Sequence, residues 1–158
     1  MNGFVFPSAS NLFLAGHVEL LCNSYHHWTG KALIDPYDNR DERAKTLFEA
    51  PFAVVSHNTA IDPIFNYANL KAMELFEMDW NIITSLPSRL SAEAINQEER
   101  ARLLNIVSEH GFIADYTGIR ISSSGKRFRI KNATVWNLID NDGLYVGQAA
   151  MFSNWLFV

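Results

Sequence analysis

Two short polar linkers in the last third constrain this chain more than any other feature. Ser123-Ser124-Gly125 and Asp140-Asn141-Asp142-Gly143 combine Gly with Ser, Asn and Asp, the residues of tight reversals. The runs they separate, Tyr116 to Ser122, Phe128 to Ile139 and Leu144 to Phe152, are rich in β-branched and aromatic residues. Strands joined by tight hairpins are antiparallel, so a parallel sheet with helical crossovers is excluded for this third of the chain.

Two shorter extended runs come earlier, Phe52 to His57 and Pro63 to Tyr67, with a turn through Asn58 and Asp62. Asn69 is predicted to cap a helix that turns Leu70, Met73 and Phe76 inward, and a polar stretch follows around Pro87, Ser88 and Arg89. Gln97 to His110 is predicted as the longest helix of this part. Asn96 and Glu99 form a capping-box pair before it, Leu103, Leu104 and Val107 give its buried stripe, and Gly111 stops it. The order implies an α+β domain with a five-stranded antiparallel sheet and helices on one face.

The N-terminal part reads differently. Leu14, Val18, Leu21 and Tyr25 recur at helical spacing after Ser8 or Ser10 as caps, which predicts an amphipathic helix from Asn11 to Tyr25. A polar connection through His26 to Lys31 and Asp35 to Asp41 leads into a second helix, Glu42 to Glu49. A boundary near Leu47 divides a helical extension, 1–46, from the sheet domain, 47–158. Around Trp136 the strand is apolar on both faces, so the N-terminal helix or a second subunit is expected on the outer face. The apolar stripe of that helix also gives the expectation of a homodimer.

Composition narrows the class. A length of 158 residues suits a single domain, and the net charge of −4 has the wrong sign for a main partner made of phosphate backbone. Cys22 is the only cysteine, so an intramolecular disulfide scaffold is excluded and a reducing cytoplasm is expected. No Lys or Arg precedes Lys31, which argues against a secretory leader, and no run reaches the ~20 apolar residues of a membrane span.

Several sequence words carry a more specific likeness: Pro51-Phe52-Ala53-Val54-Val55-Ser56-His57, Asp62-Pro63-Ile64-Phe65-Asn66-Tyr67-Ala68-Asn69, Pro87-Ser88-Arg89-Leu90-Ser91-Ala92, Gly118-Ile119-Arg120-Ile121-Ser122 and Gly147-Gln148-Ala149-Ala150. In order and content the chain resembles the MEKHLA domain family, a PAS-like group of small bacterial proteins and of the C-terminal ends of plant homeodomain-leucine-zipper transcription factors. The resemblance carries the expectation of a standalone, bacterial-type member, and the likeness runs from about Leu12 to Trp155. The resemblance implies a PAS-like sensory or interaction domain with a pocket between the sheet and the middle helices. It names no ligand, and the DNA-binding role of the plant proteins does not carry over.

PAS-type sensors hold flavin, haem or small metabolites, and each group asks for its own residues. A flavin photocycle needs a cysteine in a helical Asn-Cys-Arg-Phe type motif, which this chain lacks, since Cys22 lies in the N-terminal helix. Haem needs an axial ligand, for which His110 is the best placed histidine, although the last turn of a helix favours a histidine for dipole reasons alone. His17, Cys22, His26 and His27 supply too few ligands on one helix face for a metal site. Ser56, His57 and Asp62 have the residue types of a hydrolase triad, but adjacent strand residues point to opposite faces and no nucleophile elbow is present.

Polar residues inside apolar words are the better pointers. A buried polar group without a partner costs roughly 1–3 kcal/mol, so such residues pair with one another or face a ligand. Asn66, Arg89, Arg120, Trp136 and Gln148 are of this kind. Together with Leu104, Val107 and His110 on the long helix they are the candidate pocket residues, with no catalytic or metal-ligating role assigned. Arg89 or Arg120 in a pocket would favour an anionic small molecule, while Arg89 tied to its own loop and Arg120 in solvent would not. Arg127, Arg129 and Lys131 alternate with Phe128 and Ile130 and put a basic row on one sheet face. The leading expectation is a non-catalytic sensory or regulatory module that binds a small molecule or a protein. The alternative is a small enzyme using the same pocket, with His57 or His110 as acid–base and an Arg as anion clamp.

Overall fold

A computed structural model describes residues 4–35 and 39–158. A short 3-10 helix, Ala9–Leu14, leads into α1, Ala15–Thr29, and α2 is Arg40–Phe48. Strands β1, Ala53–His57, and β2, Phe65–Ala68, are followed by α3, Leu70–Phe76, α4, Trp80–Ile83, a 3-10 turn at Ser88–Ser91 and α5, Ala94–His110. The chain closes with β3, Phe112–Ile121, β4, Arg127–Ile139, β5, Tyr145–Phe152, and β6, Asn154–Phe157.

The sheet order is β2-β1-β5-β4-β3, and every pairing is antiparallel. The five expected strands are joined by a sixth, because the chain breaks at Ser153 and β6 returns along the first half of β4, Phe128 opposite Phe157. Both hairpins form as their linkers dictate. Asp140 Oδ1 accepts from the backbone N–H of Asp142 and of Leu144, and Gly143 takes the left-handed conformation, φ +79°, that the reversal requires.

α5 starts earlier than the sequence suggests. Glu93 rather than Asn96 precedes its first turn, and the Asn96 N–H is already bonded to the Glu93 carbonyl at 2.8 Å. Asn69 caps α3 as expected, accepting from Ala72 N–H. It also accepts from Val54 N–H and donates to the carbonyls of Leu47 and Phe52, so one fully buried side chain ties α2, β1 and α3 together.

The two faces of the sheet are covered by different helices. α5 and α3 lie on the inner face and α1 on the outer. Val18, Leu21 and Tyr25, the stripe of α1, are buried, with Tyr25 edge-on to Trp136 at 5.0 Å. Ser24 Oγ accepts from Ile139 N–H, and the Trp28 indole donates to the Asn137 carbonyl at 2.9 Å. The stripe from which a homodimer was expected is thus spent within the chain. One apolar cluster runs through α1, α2, both sheet faces and α5.

Candidate functional site

Strand pairing decides which side chains share a face. Tyr67, Ser56, Ala149 and Trp136 stand opposite one another in a row across β2, β1, β5 and β4. This row faces α1: His17 of α1 reaches Ser56 Oγ at 2.9 Å, and Ser56 donates to Asn66 Oδ1 at 2.6 Å. The neighbouring row, His57, Gln148 and Asn137, belongs to the inner face beneath α5.

That inner row is polar inside an apolar layer. Gln148 Nε2 donates to Asn137 Oδ1 at 3.0 Å and to Ser108 Oγ and the Leu104 carbonyl of α5, while Asn137 Nδ2 donates to the Val107 carbonyl at 2.9 Å. The two carboxamides therefore bolt the helix to the sheet. His57 ends the row differently. Its Nδ1 bonds the Asn58 carbonyl at 2.9 Å and so carries the proton, which leaves a buried Nε2 lone pair with no partner among the described residues. Burial, aided by the charge of Arg100, lowers the pKa of this imidazole and keeps it neutral, against the opposing influence of the Asn58 carbonyl and the Gln148 side chain.

Between this row and α5 lies a cavity of about 60 Å³, walled by apolar side chains including Val55, Phe65, Leu103, Val135 and Phe152. Two arginines, Arg100 and Arg120, also line it. Arg100 of α5 is buried and donates to Ser88 Oγ at 2.9 Å. Arg120 of β3 is buried as well, donating to the Ile119 carbonyl and to the Tyr116 hydroxyl at 3.3 Å, with its guanidinium 5.6 Å from the Tyr116 ring centre. Bulges on either side of Tyr116 turn that ring toward the cavity. The left-handed Asp115 helps to form them, and Gly118 leaves room for the hydroxyl, which an added Cβ would meet at 2.3 Å. Burial, followed by the nearby charge of Arg120, pushes the Arg100 guanidinium down to about 10.

The residues singled out in the sequence divide. Leu104, Arg120 and Gln148 line the cavity, and Val107 is buried one turn along α5. Arg89 does not: it is exposed and paired with Asp62 at 3.2 Å, on the outer side of a 3-10 turn whose Ser88 and Ser91 are buried. His110 is exposed at the end of α5, Asn66 lies at the β1–β2 bulge bonded to Ser56, and Trp136 faces α1. Ser56 and His57 point to opposite faces and form no triad, and Asp62 belongs to the Arg89 pair. In the basic row, Arg127 is bonded to Glu93. The functional side chain missed in the sequence is Arg100, whose signal is its place three, four and seven residues before Leu103, Leu104 and Val107, on the buried stripe of α5.

Neither flavin nor haem fits this site. One water-sized group needs roughly 10–15 Å³ of such space. The 60 Å³ space is too small for a three-ring isoalloxazine, and the sole cysteine lies on α1 across the sheet. His110, the histidine considered for haem, is outside the cavity. Among the described residues no three His, Cys, Asp or Glu side chains are grouped to hold a metal ion, and no helix is long and apolar enough to cross a membrane.

Comparison with known proteins agrees with the fold. The model of the MEKHLA domain matches residues 15–157. Homeobox-leucine zipper protein HOX10 of Oryza sativa subsp. indica is 23% identical over 154 residues, covering 97% of this chain and 18% of that protein. Homeobox-leucine zipper protein ATHB-14 of Arabidopsis thaliana is 25% identical over 148 residues, 89% of this chain and 17% of that protein. The chain thus spans under a fifth of the length of these relatives. Among solved structures, the PAS domain of a Colwellia psychrerythraea protein superposes with a TM-score of 0.64 at 14% identity, over 77% of this chain and 98% of that one. A light-oxygen-voltage domain studied with a flavin analogue superposes with a TM-score of 0.59 at 15% identity, over 73% and 83%.

Proposed function

The chain belongs to the MEKHLA domain family, and from that premise we propose that it is a non-catalytic sensory or regulatory domain that holds a small molecule between the sheet and α5. The observation that carries this reading is the cavity itself, whose walls are apolar and whose polar groups are incompletely satisfied, His57 Nε2 above all. The sheet and α5 would both respond to a small guest, because Gln148 and Asn137 join the strands to α5. Native mass spectrometry of the freshly purified protein tests it, alongside thermal melting against a panel of small polar and apolar compounds. A mass excess released on unfolding, or a compound that raises the melting temperature, supports binding. A bare polypeptide mass with no compound raising the melting temperature overturns it.

One observation favours a second reading. A neutral, buried imidazole with a free lone pair beside two guanidinium groups is also what a general base with an anion clamp requires. Turnover of a bound carboxylic acid that His57→Gln abolishes would establish the enzyme, and unchanged recovery of the bound compound after prolonged incubation would remove it.

A further inference from the structure

Arg100 and Arg120 stand out in their own surroundings. Both guanidinium groups are buried at the wall of one cavity, and neither makes an ion pair among the described residues. The nearest acidic groups are committed elsewhere. Glu99 is reached only through the Tyr116 hydroxyl, which donates to it at 3.0 Å, and Asp62 is held by Arg89. Of the five N–H donors on a guanidinium, Arg120 uses two and Arg100 one. Burying one such cation without a counter-charge is costly, and burying two side by side adds their repulsion. The arrangement has the form of a half-made ion pair, complete only when an anion enters.

One acceptor at this cavity, whose lining also includes Ser91, Gln148 and the Tyr116 hydroxyl, is buried with no partner among the described residues. His57 Nε2 is buried, unprotonated and without a donor. Apolar side chains line the rest of the cavity, and the space of about 60 Å³ admits only a few heavy atoms. Resting on the small-molecule reading above, we propose that the ligand is a short-chain carboxylate bearing a hydroxyl or amino group. Its carboxylate is taken by Arg100 and Arg120 and its donor by His57. A planar fork of N–H donors suits a carboxylate, and the volume excludes nucleotides and fatty acids.

Thermal melting and isothermal titration with four probes test this: lactate, propionate, 1,2-propanediol and 2-butanol. Lactate is expected to bind, and propionate, which lacks the hydroxyl, about fivefold more weakly, the worth of roughly one net hydrogen bond. The two uncharged probes are expected to bind far less. Arg120→Gln is expected to abolish the response to lactate while leaving the empty protein as stable as before or more so, since it removes one of two repelling buried charges. Arg120→Lys is expected to keep part of the response. If Arg120→Gln melts lower yet still responds to lactate, Arg120 is only structural and the inference falls. If the uncharged probes stabilise the protein and the two acids do not, the inference falls and the cavity remains a binding site. If none of the four acts and the protein purifies bare, both readings fall together.

Discussion

Gln148 and Asn137 face each other directly across β5 and β4, and the carboxamide nitrogen of the first donates to the carboxamide oxygen of the second at 3.0 Å. Each also bonds α5, so a side chain lost here loosens both sheet and helix. Asn137→Ala removes the donor to the Val107 carbonyl and the acceptor for Gln148, and is expected to cost about 2–3 kcal/mol, read from urea unfolding. A change below about 0.5 kcal/mol would show that water replaces these bonds freely.

Gly147, at φ +152°, leaves only 2.4 Å between an added Cβ and the His57 carbonyl. Backbone, unlike a side-chain tip, cannot step aside. Gly147→Ala is expected to lower the melting temperature far more than Gly125→Ala, where φ is +90° but nothing lies within 4 Å, so that only the backbone cost of about 1–2 kcal/mol remains. Equal melting temperatures for the two variants would contradict the close β1–β5 approach.

Acid should weaken the fold through His17. Burial between α1 and the sheet pulls its pKa from 6.5 down to about 4, so the folded state keeps it neutral while the unfolded chain takes up a proton near 6.5. Between those values the unfolded state binds more protons, so stability is complete above about pH 6.5 and falls as the pH drops toward 4. Ser56 gives its own proton to Asn66, so His17 Nε2 is the donor to Ser56. His17→Gln retains a donor without the titration and is expected to flatten the loss of melting temperature between pH 7 and 5. The same acid sensitivity in both proteins would exonerate His17, leaving His57, whose pKa burial shifts the same way, as the source.

The Arg89–Asp62 pair is half exposed on both sides. Arg89→Ala is therefore expected to change stability by no more than about 0.5 kcal/mol and to leave lactate binding unchanged. Lost binding in this variant would move the anion site to the surface.

Cys22, partly covered on α1, has its thiol pushed up to about 11, mainly by burial. The thiolate is the reactive form, so labelling by iodoacetamide at pH 8 is expected to be much slower than for the unfolded chain. Labelling at the unfolded rate would mean that α1 leaves the sheet readily.

The hairpins, the Asn69 cap and the stripe of α5 were legible because each rests on local chemistry: a turn residue, a cap, a spacing. Trp136 was misplaced for a reason equally physical. A strand side chain changes face with each residue, so Trp136 and Asn137 lie on opposite sides, and only the pairing with β5 shows which side holds the cavity. Arg100 escaped notice because a charged residue on a helix is ordinarily solvent-facing, although its spacing to Leu103, Leu104 and Val107 marked it as buried. The start of β3 was hidden by its bulges, which break the alternation on which strand reading depends. β6 was hidden because no Gly or Pro marks the break at Ser153.

β5 is synthesised after both flanking strands, yet it stands between them. On the ribosome, a nascent chain that ends before Tyr145 holds two separate ribbons, β1 with β2 and β3 with β4, with unpaired edges along β1 and β4. Closure joins β1 to a partner nearly a hundred residues away, Ala53 to Phe152, a distant contact that slows folding. Until that strand slots in, the open edges are surfaces for chaperones or for aggregation.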